Sequence, residues 1–323
     1  MAWFFIMLLF ILSCFLLSWL SSHLIHSLIQ IAKYLRWREF IIAFFVMAFA
    51  ASLPNLFVDL NAALQHKPQI SVGDLVGGNL VDLTLVLAVA VFFSRKGLVT
   101  KSDMVQKSAL FTTLIAILPL LLMLDGTLGR TDGLVLIVAF MIYTWWIFSE
   151  KERFSKRYHT HSDAREPIKS FTFFLWCLVK VVVLLALLLA SSEFIIWSAA
   201  YFSSALGISL SLVGILIVGL GNAFPETYFS IVSARKEENW LVLGDLMGSV
   251  IVCATLVLGI IAILAPFHIN DLYLFSNAMI FLTAAAIFSS VFIITGKKLT
   301  KKEGLGLLLI YIVFLIVEVF VKK

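Results

Sequence analysis

A chain of 323 residues that is 62% hydrophobic and 13% charged, with a mean hydropathy of +1.06, has too little polar surface to close a water-soluble globule. It reads as an all-α polytopic membrane protein. Its net charge of +5 does not point to nucleic acid, because the basic residues sit in short turns between apolar runs, where they set orientation in a bilayer. Cys14, Cys177 and Cys253 all lie inside apolar runs and suggest neither a disulfide framework nor a thiolate metal cluster.

Apolar stretches of the length needed to cross a hydrocarbon core fall at 2–31, 39–65, 71–94, 107–124 and 132–149, then at 169–202, 209–234, 241–265, 272–295 and 304–321. That predicts ten transmembrane helices, five in residues 1–150 and five in 169–323, joined by a charged cytoplasmic loop at 151–168. The first run has no basic n-region and no small-residue cleavage site, so it is expected to be a retained helix rather than a signal peptide. Nineteen of the Lys and Arg residues fall in the loops after runs one, three, five, seven and nine, against Lys67, Arg130, Lys322 and Lys323 on the other side, with Lys180 inside a run. Positive-inside bias then places Ser102, Ser155 and Lys298 in the cytoplasm and both termini outside, in a cell membrane such as the bacterial inner membrane. Trp37, Trp145, Trp146 and Trp240, at run ends, suit the interfacial aromatic belt.

Sliding the chain by 171 residues lays Pro54 on Pro225, Asn55 on Glu226, Asp74 on Asp245 and Asp82 on Cys253, and 9 of the 15 positions from Gly73 to Leu87 match their partners. Such a match marks an internal duplication. The copies are five runs apart, an odd number, so the second enters the membrane from the opposite side: two inverted five-helix repeats. In transporters built this way the substrate lies near the midplane, on helices interrupted by Gly or Pro. Pro54 and Pro225 stand at matched depths as candidate helix breaks, although each could also merely kink a packed helix.

Two P-E type helices, each followed by a G-D-L-x-G stretch, with ten spans and a charged loop between the halves, resemble the calcium/cation antiporter superfamily and within it the prokaryotic sodium/calcium exchanger family. The resemblance is sharpest at 50–87 and 221–258. The family's stretch is G-T-S-L-P-E in each copy, with an Asn or Asp one helix later completing a four-residue cation site. Here the copies read A-A-S-L-P-N and G-N-A-F-P-E. The resemblance thus implies Asn55, Asp82, Glu226 and Cys253 at the four positions, with Asp82 and Glu226 as the two metal-binding carboxylates. A desolvated divalent ion needs about two negative charges and six to eight oxygens, and Ser52, Asn55, Asn222 and backbone oxygens near the prolines are expected to complete the shell.

The implied function is secondary-active antiport: export of Ca²⁺ or a similar divalent cation in exchange for Na⁺ or H⁺ by alternating access, with inorganic cations and membrane lipids as partners, no nucleic acid and no cofactor. Only Ser52 survives of the four Thr and Ser positions that help hold Na⁺ in the family, so fewer Na⁺, or H⁺, are expected to drive return. The alternative is a degenerate homologue that has lost transport and acts as a membrane interaction protein. No nucleophile–base pair, phosphate loop or metal-hydrolase motif suggests an enzyme. Asp74 and Asp245, each after a Gly, fit either helix-capping residues or further cation contacts, since Asp74, Gly78 and Asp82 share one helix face, as do Asp245, Ser249 and Cys253. Asp59, one turn beyond Asn55, could partly replace the missing acid. Lys180 and Glu193 are expected to snorkel, His23 and His26 to be packed or interfacial unless they relay protons, and Glu318 to lie at the surface.

Overall fold

The computed structural model describes residues 2–34, 52–149, 171–237, 239–269, 272–296 and 298–321. These residues form helices joined by tight turns. We number them α1 (Ala2–Tyr34), α2 (Leu53–Leu64), α3 (Pro68–Phe93), α4 (Asp103–Leu122), α5 (Arg130–Ser149), α6 (Phe171–Leu206), α7 (210–222), α8 (Phe224–Arg235), α9 (239–264), α10 (Tyr273–Thr295) and α11 (Lys301–Val321). Among the described residues, seven helical stretches are long and apolar enough to cross a bilayer: Pro68–Phe93, Asp103–Asp125, Arg130–Ile147, Thr172–Leu206, Leu210–Arg235, Leu241–Leu264 and Phe275–Thr295. Residues 39–51 and the 151–168 loop lie outside the described residues, as does Trp37.

Burial sorts the helices. Within their most apolar windows, α3 and α9 are 83% buried, whereas α6 is 17% and α5 22%. The first two therefore form the centre, and the last two meet lipid with apolar faces that include Trp176, Val182, Met141 and Trp145. Helix α1 packs along α6, and a core of Leu17, Leu20, Leu24, Leu188 and Ile195 joins them to α2. With no net hydrophobic force between helices in lipid, close approach depends on small residues and polar contacts. Helices α4 and α10 use the second device: Thr113 Oγ donates to the Ala286 carbonyl at 2.9 Å, and Ser290 Oγ to that of Ala109 at 2.6 Å.

The two copies of the duplicated sequence adopt matched backbones. Pro54 and Pro225 each occupy the first turn of a twelve-residue helix, α2 and α8, where a missing N–H costs nothing. Ser52 (φ −85°, ψ −4°) and Ala223 (φ −79°, ψ −3°) precede them at equivalent positions, and His66 (φ 59°) and Glu237 (φ 60°) follow them in the left-handed region. The prolines thus open helices rather than kink them, and the run 209–234 is two helices meeting at Ala223. Inside the central helices, Asp82–Val86 and Val252–Val257 are π-helical, a wide turn that often accompanies function.

Two-residue strands clip the helix ends. Strand β1 (Leu98–Val99), after α3, pairs antiparallel with β4 (Lys298–Leu299), after α10; β2 (Thr127–Leu128), after α4, pairs with β3 (Phe267–His268), after α9. The loops after α3 and α10 therefore share one end of the bundle, and those after α4 and α9 share another. Arg235, closing α8, lies 4.8 Å from the Phe93 ring and joins the first of these ends.

Candidate cation site

The acidic side chains converge where α2, α3, α7, α8 and α9 meet. Asp59, Asp74, Asp82 and Glu226 are all at least nine-tenths buried, and Asp245 is half-buried. Glu226 lies in the first turn of α8, and Asp82 opens the π-helical turn of α3. The two face each other closely enough to interact electrostatically, with Asp245 acting on both and the Ser249 hydroxyl beside Asp82. Four buried oxygens here have no hydrogen-bond partner: Asn55 Oδ1, Asp82 Oδ1, Glu226 Oε2 and Ser249 Oγ. An orphaned buried oxygen is costly, and several together make a ready cation shell.

Asn55 and Cys253 form the other diagonal. Asn55 Nδ2 donates to Cys253 Sγ at 3.2 Å, and the buried Ser52 hydroxyl lies against the same thiol. Because an amide carries its donor and acceptor on opposite sides, tying the nitrogen to sulfur turns Asn55 Oδ1 away, toward the unpartnered set. Cys253 is thus placed as the acceptor that orients Asn55.

Asn222 links α7 to α3. Its Nδ2 donates to Asp74 Oδ2 at 2.7 Å, a bond from the end of α7 to the middle of α3. Asp74 in turn touches Asp59. Asp59, a secondary candidate from sequence, lies against Asp74, which itself acts on both Asp82 and Glu226. Capping is ruled out for both glycine-following acids, since Asp74 and Asp245 sit about two turns inside helices that open at Pro68 and Asn239. Of the two Gly residues before them only Gly73 matters for packing: a Cβ there would lie 2.8 Å from Gly214 Cα, whereas one on Gly244 would meet nothing within 4 Å. No group of three or more His, Cys, Asp and Glu side chains among the described residues is arranged to hold a metal ion, so any cation here depends on amide, hydroxyl and backbone oxygens as well as carboxylates.

The remaining polar residues fall outside the centre. Lys180 is half-buried, its Nζ 5.7 Å from the Trp176 ring, and Glu193 is exposed. His23 Nδ1 donates to the Trp19 carbonyl at 3.0 Å, and its ring lies tilted against the Trp19 ring with centroids 4.2 Å apart. Glu318, expected at the surface, is instead fully buried. Proximity to the chain end misled here, because α11 runs in among α3 and α10 along its length.

A multi-pass helical bundle with a buried, oxygen-rich acidic centre has the build of an ion transporter. The sodium/calcium exchanger protein family matches residues 5–149 and again 176–320, and the chain belongs to that family. It is therefore an antiporter-family membrane protein that uses no cofactor. It is 25% identical over 303 residues to the putative antiporter CaxA of Alkalimonas amylolytica, spanning 92% of this chain and 93% of the relative. It is 22% identical to the sodium/calcium exchanger MaX1 of Methanosarcina acetivorans, over 93% and 95%. A structure of the sodium-calcium exchanger NCX_Mj soaked with 2.5 mM Na⁺ and 1 mM Sr²⁺ superposes with a TM-score of 0.63 at 25% identity, covering 95% of this chain and 96% of that one.

Proposed function

We propose that the chain is a divalent-cation antiporter of a cell membrane, carrying Ca²⁺ at the Asp82–Glu226 pair and returning with Na⁺ or H⁺, and that it is built as ten spans in two inverted repeats with both termini outside. The single observation that carries the site is the set of unpartnered buried oxygens on Asn55, Asp82 and Glu226, contributed by both copies of the duplicated sequence. Two carboxylates balance a dehydrated divalent ion, and the amide oxygen adds a neutral ligand. The inverted architecture draws support from the clipped ends: the loop after α3 shares an end with the loop after α10, and the loop after α9, its counterpart by sequence, shares the other with the loop after α4. Each repeat would thus present its central helix in the opposite sense, and α3 and α9 meet at the middle.

Transport then follows from charge. With a divalent ion bound, the pair is neutral and the centre can be exposed to either side; empty, it holds two uncompensated charges in a low dielectric, so return requires two monovalent charges in place of the ion. The test is ⁴⁵Ca²⁺ uptake in proteoliposomes. Asp82→Asn and Glu226→Gln should each abolish it while the protein remains folded in the membrane, and Lys180→Ala should leave it near wild type. Near-normal flux in either acid variant would move the site elsewhere.

A further inference from the structure

Two clips of one design close the two ends of the bundle, and they carry different charge. At the first, β1 and β4 bring the loop after α3 beside the loop after α10, with Val99 opposite Lys298. Arg95, Lys96, Lys101, Lys301 and Lys302 are exposed there, and Lys298 is half-buried, its Cε 3.1 Å from where a Cβ on Gly97 would stand. Arg235 adds a further cation from the end of α8, 4.8 Å from the Phe93 ring. The acids at this end offset little of that charge. Glu303 accepts from the Thr300 amide and hydroxyl at 2.6 and 2.7 Å, Asp103 already has a partner, and Glu237 follows Lys236 beyond α8. Beside the second clip, β2 and β3, the charged groups are instead Asp125 and Asp132, with Arg130 and His268.

Position and apolar neighbours identify the partner. Helix α3 ends as a span at Phe93 and α10 at Thr295, so the cations stand where the headgroups of a bilayer begin. The same surface exposes Phe92, Phe93 and Val99, next in the chain to Arg95, Lys96 and Lys101. A soluble anion would satisfy the cations and leave this apolar rim uncovered; a phospholipid covers both. We propose that the β1–β4 end is a binding surface for anionic phospholipid, its phosphate held by Lys and Arg of both loops and its chains laid against the exposed end of α3. Like charges gathered by the clip repel one another, and a negative headgroup offsets that repulsion, whereas a zwitterionic one brings its own cation. The two loops belong to different halves of the chain, so a headgroup held between them also braces the halves against each other. This surface stands whichever ion the protein carries.

Native mass spectrometry of the purified full chain, given dioleoyl phosphatidylglycerol and dioleoyl phosphatidylcholine in equal amounts, tests the assignment, with the unfolding temperature followed for each lipid alone. The chain should retain phosphatidylglycerol in preference and unfold at a higher temperature with it. Lys101→Gln and Lys301→Gln, both at exposed positions, should each lower that retention about 5-fold, the equivalent of about 1 kcal/mol for each basic residue at an anionic surface. Adding Lys96→Gln and Lys302→Gln should abolish the preference. Gly97→Ala keeps every cation but sets a Cβ against the Leu299 carbonyl oxygen at a φ of +77°, so opening the clip should also weaken retention; the lysine variants carry the test if this one does not accumulate. Arg130→Gln, at the other end, should change nothing. Glycerol 3-phosphate, which has the anion without the chains, should leave the lipid bound. Displacement by it at equal concentration would make this a site for soluble anions and overturn the lipid assignment. Equal retention of the two lipids, a four-lysine variant that keeps the preference, or a matching loss with Arg130→Gln would overturn it as well.

Discussion

Replacing Gly77 with alanine adds one methyl group where α3 crosses α7. The new Cβ would lie 2.2 Å from the Ile215 carbonyl oxygen, 2.7 Å from Ile215 Cα and 2.8 Å from its carbonyl carbon, whereas ordinary contact begins at 3.4 Å. The obstacle is backbone, so no side chain can swing aside and the helices must part by about 1 Å. Forcing a methyl group into a packed interior costs about 1–3 kcal/mol, and three sub-contact distances put this case at the upper end. Alanine recovers about 1 kcal/mol through its better helix propensity, leaving a net loss of about 2 kcal/mol. Gly78 is the control. Its nearest neighbour would be Asp74 Oδ1 at 3.8 Å, so Gly78→Ala collects the propensity gain without the clash and should be neutral or slightly stabilising. Parting α3 from α7 also pulls Asn222 from Asp74 and shifts the start of α8, so Ca²⁺ uptake should fall with stability. Thermal unfolding in detergent, followed by tryptophan fluorescence alongside proteoliposome flux, reads both effects. Equal unfolding temperatures and fluxes for the two variants would mean that these backbones do not touch.

Three further outcomes are expected. Single cysteines at Ser102 and Lys298 should resist an impermeant thiol reagent added outside sealed cells, and one at Ser155 likewise; outside labelling at Ser155 would reverse the orientation. Proteoliposomes loaded with Ca²⁺ should release it in response to an imposed Na⁺ or pH gradient, with fewer than three Na⁺ per Ca²⁺; a flux third order in external Na⁺ and indifferent to pH would restore full sodium coupling. Cys253→Ala frees the Asn55 amide to turn over and should weaken Ca²⁺ binding several-fold without abolishing transport, measured as the apparent affinity for uptake; complete loss would make the sulfur a ligand rather than an orienting group.

The membrane class and the position of the acidic centre were legible because burying an ionisable group in an apolar run is costly enough to be rare. Asp82 and Glu226 stood out for that reason. The duplication was legible because 171-residue spacing survives in identities such as Gly73 with Gly244 and Asp74 with Asp245. Helix starts were not. The G-D-L-x-G stretch reads as a helix opening, yet α3 opens at Pro68, since the Gly residues serve contact with α7 rather than a turn. Asn222 was expected in the cation shell from residue type, which cannot show what its amide nitrogen bonds to. Its bond to Asp74 crosses 148 positions of sequence, a contact that no local pattern encodes.

The departures from the family stretch then acquire a common physical cause. At the first diagonal an amide and a thiol, Asn55 and Cys253, stand where the resemblance implies acidic or oxygen ligands, and they bond to each other instead of both facing the ion. That leaves Asp82 and Glu226 as the carboxylates of the other diagonal, with Asp245 beside both. The charge missing there reappears nearby: Asp59 lies one turn along α2 from Asn55, in contact with Asp74. Asp59 and Asp74 thus spread the negative charge away from Asp82, Glu226 and Asp245, with less mutual repulsion than five acids at a single point, because Coulomb energy in a low dielectric rises steeply as like charges converge. The two groups of acids are also tied through a shared element, and α7 is the one that meets both: it ends in Asn222, bonded to Asp74, and continues across Ala223 into the first turn of α8 that carries Glu226.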